Sequence, residues 1–113
     1  METHRLVLPE HLNQYGYLFG GYLLMWVDEA AWMAASLAYP DCRFVTVGMD
    51  QVSFRKSVRE GSILQFHTEV AHRGTTSVGI SVSVRRKDEE IFSTSVTFVR
   101  VDKHGEKESL PKN

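Results

Sequence analysis

The sequence predicts an α+β protein: one long apolar helix lying across the concave face of a single twisted antiparallel sheet. Three observations lead there. The stretch from Leu18 to Tyr39 is apolar with helical character and is stopped by Pro40-Asp41. From Arg43 onward every segment reads as strand, and short turns separate the segments. Short connections join antiparallel neighbours, so four successive strands build one sheet. A helix this apolar needs cover on nearly all sides, more than one sheet provides. A second copy of the chain, its helix and sheet meeting the first near a two-fold axis, is the expected remainder of the cover.

The elements follow in order. THRLVL, residues 3–8, reads as a first strand that ends at Pro9 and suits a sheet edge. Pro9 to Tyr17 is a loop by composition, and the helix is expected from Phe19 or Gly20 to near Tyr39. FVTVGMDQVSF, 44–54, is β-rich but interrupted by Gly48 and Asp50, which predicts a long strand with a bend or bulge. SVREG, 57–61, is a turn. In 62–72 the residues Leu64, Phe66, Thr68 and Val70 alternate onto one face. The cleanest alternation is 77–86, with Val78, Ile80, Val82 and Val84 on one side and Ser77, Gly79, Ser81 and Ser83 on the other. Lys87 to Glu90 turns the chain into a last strand, 91–101. This gives a single domain over 1–102 and a tail, 103–113, too polar for the core.

Composition narrows the function classes. A net charge of −1 with 24% charged residues gives no reason to expect a nucleic-acid partner. One cysteine, Cys42, excludes a disulfide framework and a cysteine metal site. Leu18 to Ala38 is long enough to span a bilayer, but Asp28 and Glu29 near its centre would each cost roughly 2.5–3.5 kcal/mol there. No membrane association is expected. The opening residues lack the apolar core of a signal peptide, and the chain reads as cytoplasmic.

The chemistry is expected around Asp28, because a carboxylate in an apolar helix costs several kcal/mol unless it is paired, hydrogen-bonded or protonated. Its alternatives are a structural acid held by serine or backbone groups, or a general base or nucleophile. Glu29 is placed at a rim or a dimer seam. Gly20 and Gly21 at the helix start fit two roles. One is close packing or a cap; the other is backbone N–H groups left open for a polarised ligand oxygen. Helical geometry sets Gly21 and Asp28 within about 20° of one face but roughly 10 Å apart along the axis. A site using both would draw them from two helices, as a dimer supplies, with Asn13 holding the water or the carbonyl. His67 and His72 fall on opposite strand faces, so a shared metal is not expected, while His4, His11 and His104 are read as solvated. Arg55, Lys56, Arg59, Arg73 and Arg85 to Lys87 cluster at strand ends, either as solvated surface or as a grip for phosphates.

The run Asn13-x-x-Gly16-x-x-Phe19-Gly20-Gly21, with Asp28 seven residues on, resembles the signature of the hotdog-fold acyl-CoA thioesterases. The likeness is to the bacterial short- and medium-chain and the animal cytosolic acyl-CoA hydrolases. Val45-Thr46, Phe54-Arg55-Lys56-Ser57-Val58-x-x-Gly61, Gly74-Thr75-Thr76-Ser77, Phe98-Val99-x-Val101-Asp102 and Pro111 follow in matching order, so the resemblance covers about residues 5–111. The chain departs from that pattern at Ser57, where relatives usually carry proline.

The resemblance implies a hotdog fold, with a long helix wrapped by five or six antiparallel strands, and active sites at a dimer interface. It implies hydrolysis of acyl-CoA to a fatty acid and CoA without a cofactor or metal. Asp28 would be the catalytic carboxylate, Asn13 its partner across the interface, and Gly20 and Gly21 the groups polarising the thioester carbonyl. Arg55, Lys56, Arg59, Gly74, Thr76 and Ser77 would lie along the CoA groove. The homodimer would be the minimal active unit, assembling further as a trimer of dimers. A hydratase on the same fold would need a histidine on the helix, which is absent. A non-catalytic acyl-CoA sensor or carrier would keep the groove and lose the base, and Asp28 argues against it.

Overall fold

Alternation in β4 (Ser77–Arg86) sets the two faces of the sheet: Val78, Ile80, Val82 and Val84 are buried, and the intervening serines are only partly covered. In the computed structural model, which describes residues 1–112, β4 is flanked by β3 (Ile63–Arg73) and β5 (Glu89–Val101). The edges are β1 (Glu2–Leu6) and β2 (Arg43–Phe54), giving one five-stranded antiparallel sheet in the order β1-β3-β4-β5-β2. The helix α1 (Gly20–Ala38) lies over the buried face and touches β2, β3, β4 and β5. Leu23, Trp26, Val27, Ala30, Ala31, Ala34 and Ala35 form its sunken stripe. Alanine at four of those positions brings the helix backbone close to the sheet, and Phe66, Phe92 and Phe98 fill the space from below. The expected architecture, helix over antiparallel sheet, is the one found.

Details differ from expectation for local reasons. The first strand spans 2–6 instead of 3–8. A 3-10 turn at Pro9–His11 ends the extended run, and Val7 instead bonds the loop before β3 through Ser62 and Gly61. The interruption foreseen in β2 is present as register shifts between Thr46 and Gly48 and between Asp50 and Ser53, with Gln51 at φ +54°. Val70 holds the expected face, paired with buried Ile80, but is exposed, lining an open hollow beside Ala34 and Leu37 near the end of the helix. His11 is not simply solvated: its ring packs edge-on against Trp26 (4.7 Å between centroids) and Tyr22 (5.0 Å).

Residues 103–112 fold back onto the sheet. Leu110 is 6% exposed and joins the core, its N–H donating to Thr75 O at 2.8 Å, while the side chain of Arg100 donates to Ser109 O at 2.8 Å. The tail is polar by composition, but one leucine suffices to seat it.

One chain leaves much of its apolar surface open. Met25, Trp32 and Leu37 on the helix and Val45, Val47, Val52 and Phe54 on the edge strand β2 are all exposed. Among the described residues, no helix is long and apolar enough to cross a membrane.

Candidate active site

Asp28 lies on the helix side that faces β2, between buried Val27 and the ion-paired Glu29, and is itself half-buried. Its carboxylate oxygen Oδ1 accepts a hydrogen bond from the Thr46 hydroxyl at 2.8 Å. One turn further on, the indole N–H of Trp32 donates to Phe44 O at 3.3 Å, so two bonds fasten the helix to the edge strand, at Asp28 and at Trp32. Glu29 points elsewhere and pairs with Arg5 of β1. Thr46 enters the sequence reading only through the Val45-Thr46 match to the family pattern, and its place beside Asp28 comes from how β2 lies along the helix.

The helix start is uncapped. Phe19, the last residue before the helix, has extended backbone and offers no side-chain cap. The N–H groups of Tyr22 and Leu23 both donate to Phe19 O, at 3.0 and 3.3 Å, whereas those of Gly20 and Gly21 have no backbone partner among the described residues. A Cβ on Gly20 would sit 3.6 Å from the Phe54 ring, an ordinary contact, while one on Gly21 would meet the Phe19 ring at 2.7 Å. Gly21 thus lets an exposed aromatic ring lie against the first turn, and close packing and open N–H groups occur together.

Asn13 organises the loop that approaches this start. Its Oδ1 accepts from the N–H groups of Tyr15 (2.9 Å) and Tyr17 (3.1 Å), and its own N–H donates to Tyr17 O at 2.7 Å. The carbonyl end of the side chain is therefore committed to the turn, and the amide nitrogen remains for a ligand. Asn13, Gly20, Phe54, Arg55 and Lys56 line one cavity of about 320 Å³, with Leu23 and Val58 as apolar wall. Arg59 reaches its rim through Tyr17, donating to the phenol oxygen at 3.1 Å with its guanidinium 4.7 Å from the ring centroid.

The remaining candidates stand apart within one chain. Asp28 lies two turns along the helix from Gly21 and does not line the cavity. Gly74, Thr76 and Ser77 belong to the β3–β4 turn, at the opposite end of the sheet: Ser77 pairs with Val99 of β5, whereas Phe54, beside Arg55, pairs with Phe92. There the Gly74 N–H donates to Ser77 O, and Thr76 O accepts from the Arg100 N–H, both at 2.8 Å. A single chain thus holds the candidate residues in three places. Among the described residues, no group of three or more His, Cys, Asp or Glu side chains is arranged to hold a metal ion.

Residues 15–93, spanning the helix start, the helix and most of the sheet, match the family model of the thioesterase superfamily. The chain belongs to the thioesterase superfamily. Among curated members, it is 30% identical to the acyl-CoA thioester hydrolase YciA of Escherichia coli, over 94% of this chain and 86% of that one. It is also 30% identical to acyl-coenzyme A thioesterase 11 of Mus musculus, where it spans only 20% of the longer protein. Among superfamily structures, a hexameric hotdog fold thioesterase of Campylobacter jejuni superimposes with a TM-score of 0.85 at 30% identity, covering 96% of this chain and 88% of that one. An acyl-CoA hydrolase of Staphylococcus aureus, solved with butyryl coenzyme A, coenzyme A and coenzyme A disulfide, gives 0.90 at 30% identity, covering 98% and 71%. Variants of that hydrolase with alanine in place of an asparagine, an aspartate or a threonine have also been solved. This superfamily chain has the hotdog architecture, its sheet made of five strands.

Proposed function

We propose that the chain hydrolyses acyl-CoA thioesters to a carboxylic acid and CoA, with each active site built by two chains. The observation that carries this reading is the cavity joining the uncapped helix start at Gly20 to Asn13 and to the basic pair Arg55 and Lys56. Such a cavity suits a thioester whose carbonyl oxygen gains negative charge and whose leaving group carries phosphates.

In the proposed reaction the N–H groups of Gly20 and Gly21 from one chain hold the carbonyl oxygen. Backbone donors fixed in place stabilise charge as it develops without reorganising. Asp28 from the other chain takes a proton from water as the water attacks the carbonyl carbon, or attacks that carbon itself. Collapse of the tetrahedral intermediate breaks the C–S bond and expels CoA as thiolate, which takes up a proton; on the nucleophilic route water then hydrolyses the mixed anhydride left on Asp28 and frees the carboxylic acid. Thr46 fixes the Asp28 carboxylate by donating its hydroxyl, and the Asn13 amide nitrogen orients the water or the carbonyl. Arg55, Lys56 and Arg59 hold the phosphates, and Gly74 to Ser77 of the second chain complete the groove.

The variants of the Staphylococcus aureus hydrolase support this assignment. The asparagine and aspartate altered there stand as far apart in their chain as Asn13 and Asp28 do in this one. The exposed apolar surface of α1 and β2 supports a dimer as the smallest active unit, and the hexameric Campylobacter jejuni structure supports a trimer of dimers. The reading extends to a cytoplasmic protein acting on fatty acyl groups.

A panel of acyl-CoA chain lengths, assayed for free CoA with a thiol reagent, tests the reading. Turnover of at least part of the panel is expected. A folded protein that binds acyl-CoA but releases no CoA from any chain length would overturn it in favour of a carrier or sensor.

A further inference from the structure

The hairpin between β4 and β5 carries a charge cluster that the reaction scheme leaves unused. Glu89 sits between two cations: its Oε1 accepts from Arg86 Nη2 at 2.7 Å, and its Oε2 lies 3.8 Å from Lys56 Nζ. Arg86 also donates through Nη1 to Ser57 O at 3.3 Å, which ties the hairpin to the loop after β2. Lys56 and Ser57 line the cavity beside the helix start. Arg86 and Lys87 line a second, open cavity of about 660 Å³, whose far wall is Glu60, Gly61 and Ser62. Glu89 lines neither; it joins the cation of one hollow to the cation of the other. The hydrogen bond from Arg86, followed by the nearby charge of Lys56, holds the Glu89 carboxyl below its ordinary value, so it is an anion at neutral pH.

We propose that Glu89 is an internal counter-ion occupying the place of a substrate phosphate. It neutralises Lys56 and Arg86 in the free enzyme and yields them to the nucleotide phosphates of an acyl-CoA that runs from the first cavity over this ridge into the second. The inference rests on the thioesterase reading. Three physical points support it. Exposed ion pairs are weakly held and exchange partners readily. A phosphate group presents more negative charge than a carboxylate and accepts paired hydrogen bonds from a guanidinium. Two uncompensated cations would also attract any anion, whereas a resident carboxylate lets only a stronger one displace it. The second cavity is within the usual size range for a small-molecule site.

The test compares Glu89→Gln and Glu89→Asp on three thioesters with the same acyl group: acyl-CoA, acyl-dephospho-CoA and acyl-pantetheine. Glu89→Gln should lower KM for acyl-CoA about two- to fivefold at low salt, with kcat moving less than KM. The gain should fade as salt is raised. Glu89→Asp, which keeps the charge, should stay near the parent, and acyl-pantetheine, which has no phosphates, should show no gain with Glu89→Gln. A gain retained on acyl-dephospho-CoA assigns the displaced position to the pyrophosphate, and a gain lost there assigns it to the 3′-phosphate; either supports the proposal. An unchanged or raised KM for acyl-CoA, or the same shift on acyl-pantetheine, overturns it while leaving hydrolysis itself intact. Absence of turnover in the parent protein on all three thioesters would instead remove the thioesterase reading.

Discussion

At the scale of single residues, the proposed chemistry rests on the Asp28 carboxylate and on the Thr46 hydroxyl bonded to it. Asp28→Asn preserves size and polarity, and a general base or nucleophile lost in this way should lower kcat by ~10²-fold or more without unfolding the chain. Near-parental turnover by the folded variant would remove Asp28 from the mechanism. Thr46→Val deletes only the 2.8 Å hydrogen bond to Asp28. Since a hydrogen bond to a charged group contributes about 1.5–3 kcal/mol, kcat should fall roughly tenfold or more, and Thr46→Ser should restore most of the loss. Asp28 was legible in the sequence because an acid inside an apolar run calls for an explanation. Thr46 was not, since a threonine in a strand is unremarkable until the strand is laid against the helix.

At the scale of elements, the edge strand β1 is fastened to β3 by more than its ladder. His67 of β3 contacts Glu2 of β1 and, through Nε2, Glu69 of its own strand at 2.8 Å. The bond with Glu2, and then that with Glu69, raises the His67 pKa above its ordinary 6.5. The folded state therefore holds this proton more tightly than the unfolded chain does. The resulting stability is fully present below pH 6.5 and is lost as pH rises through the folded value. Urea midpoints measured from pH 6 to pH 8 should fall with pH in the parent and fall less steeply in His67→Gln. Added salt should weaken the effect, because the side chain is 39% exposed. Equal slopes in the two proteins would show that the contact adds nothing. Elements were legible where side-chain period and burial agree, as in β4, whose observed bounds are the expected ones. They were less so where cover runs out: alternation gives Val70 its face, opposite buried Ile80, but does not show that the helix leaves it exposed. Leu110 was missed because a lone apolar residue in a polar stretch has no period to read.

At the scale of the whole molecule, the proposed site, whose residues lie in three places on one chain, predicts that activity depends on assembly. If Asp28 of one chain works with Asn13 of another, Asp28→Asn and Asn13→Ala chains should each be nearly inactive alone, and their mixture should recover activity. A hybrid dimer then has one damaged pair and one intact pair. Verified hybrids without any recovery would place both residues in a single-chain site. Val47 on the open edge strand offers a separate check, since Val47→Asp would bury a charge in any interface formed there. That variant should sediment as a monomer and lose turnover together with its partner. The separation of Gly21 from Asp28, which motivates a two-chain site, was legible in the sequence through helical geometry. The β3–β4 turn lies at the far end of the sheet from Arg55 because the length of β3 separates them, which the antiparallel order read from the sequence already implies.

The bare helix start also bears on heat resistance. Aspartate or serine in place of Phe19 would give α1 the cap it lacks, worth about 1 kcal/mol, or roughly 3–6 °C in Tm for a domain of this size. The same cap would fold its oxygen onto the Gly21 N–H, one of the two proposed to hold the thioester carbonyl. Melting curves and turnover of Phe19→Asp should therefore move in opposite directions. Selection for thermostability alone would favour this substitution, and the hardier protein would be the slower enzyme.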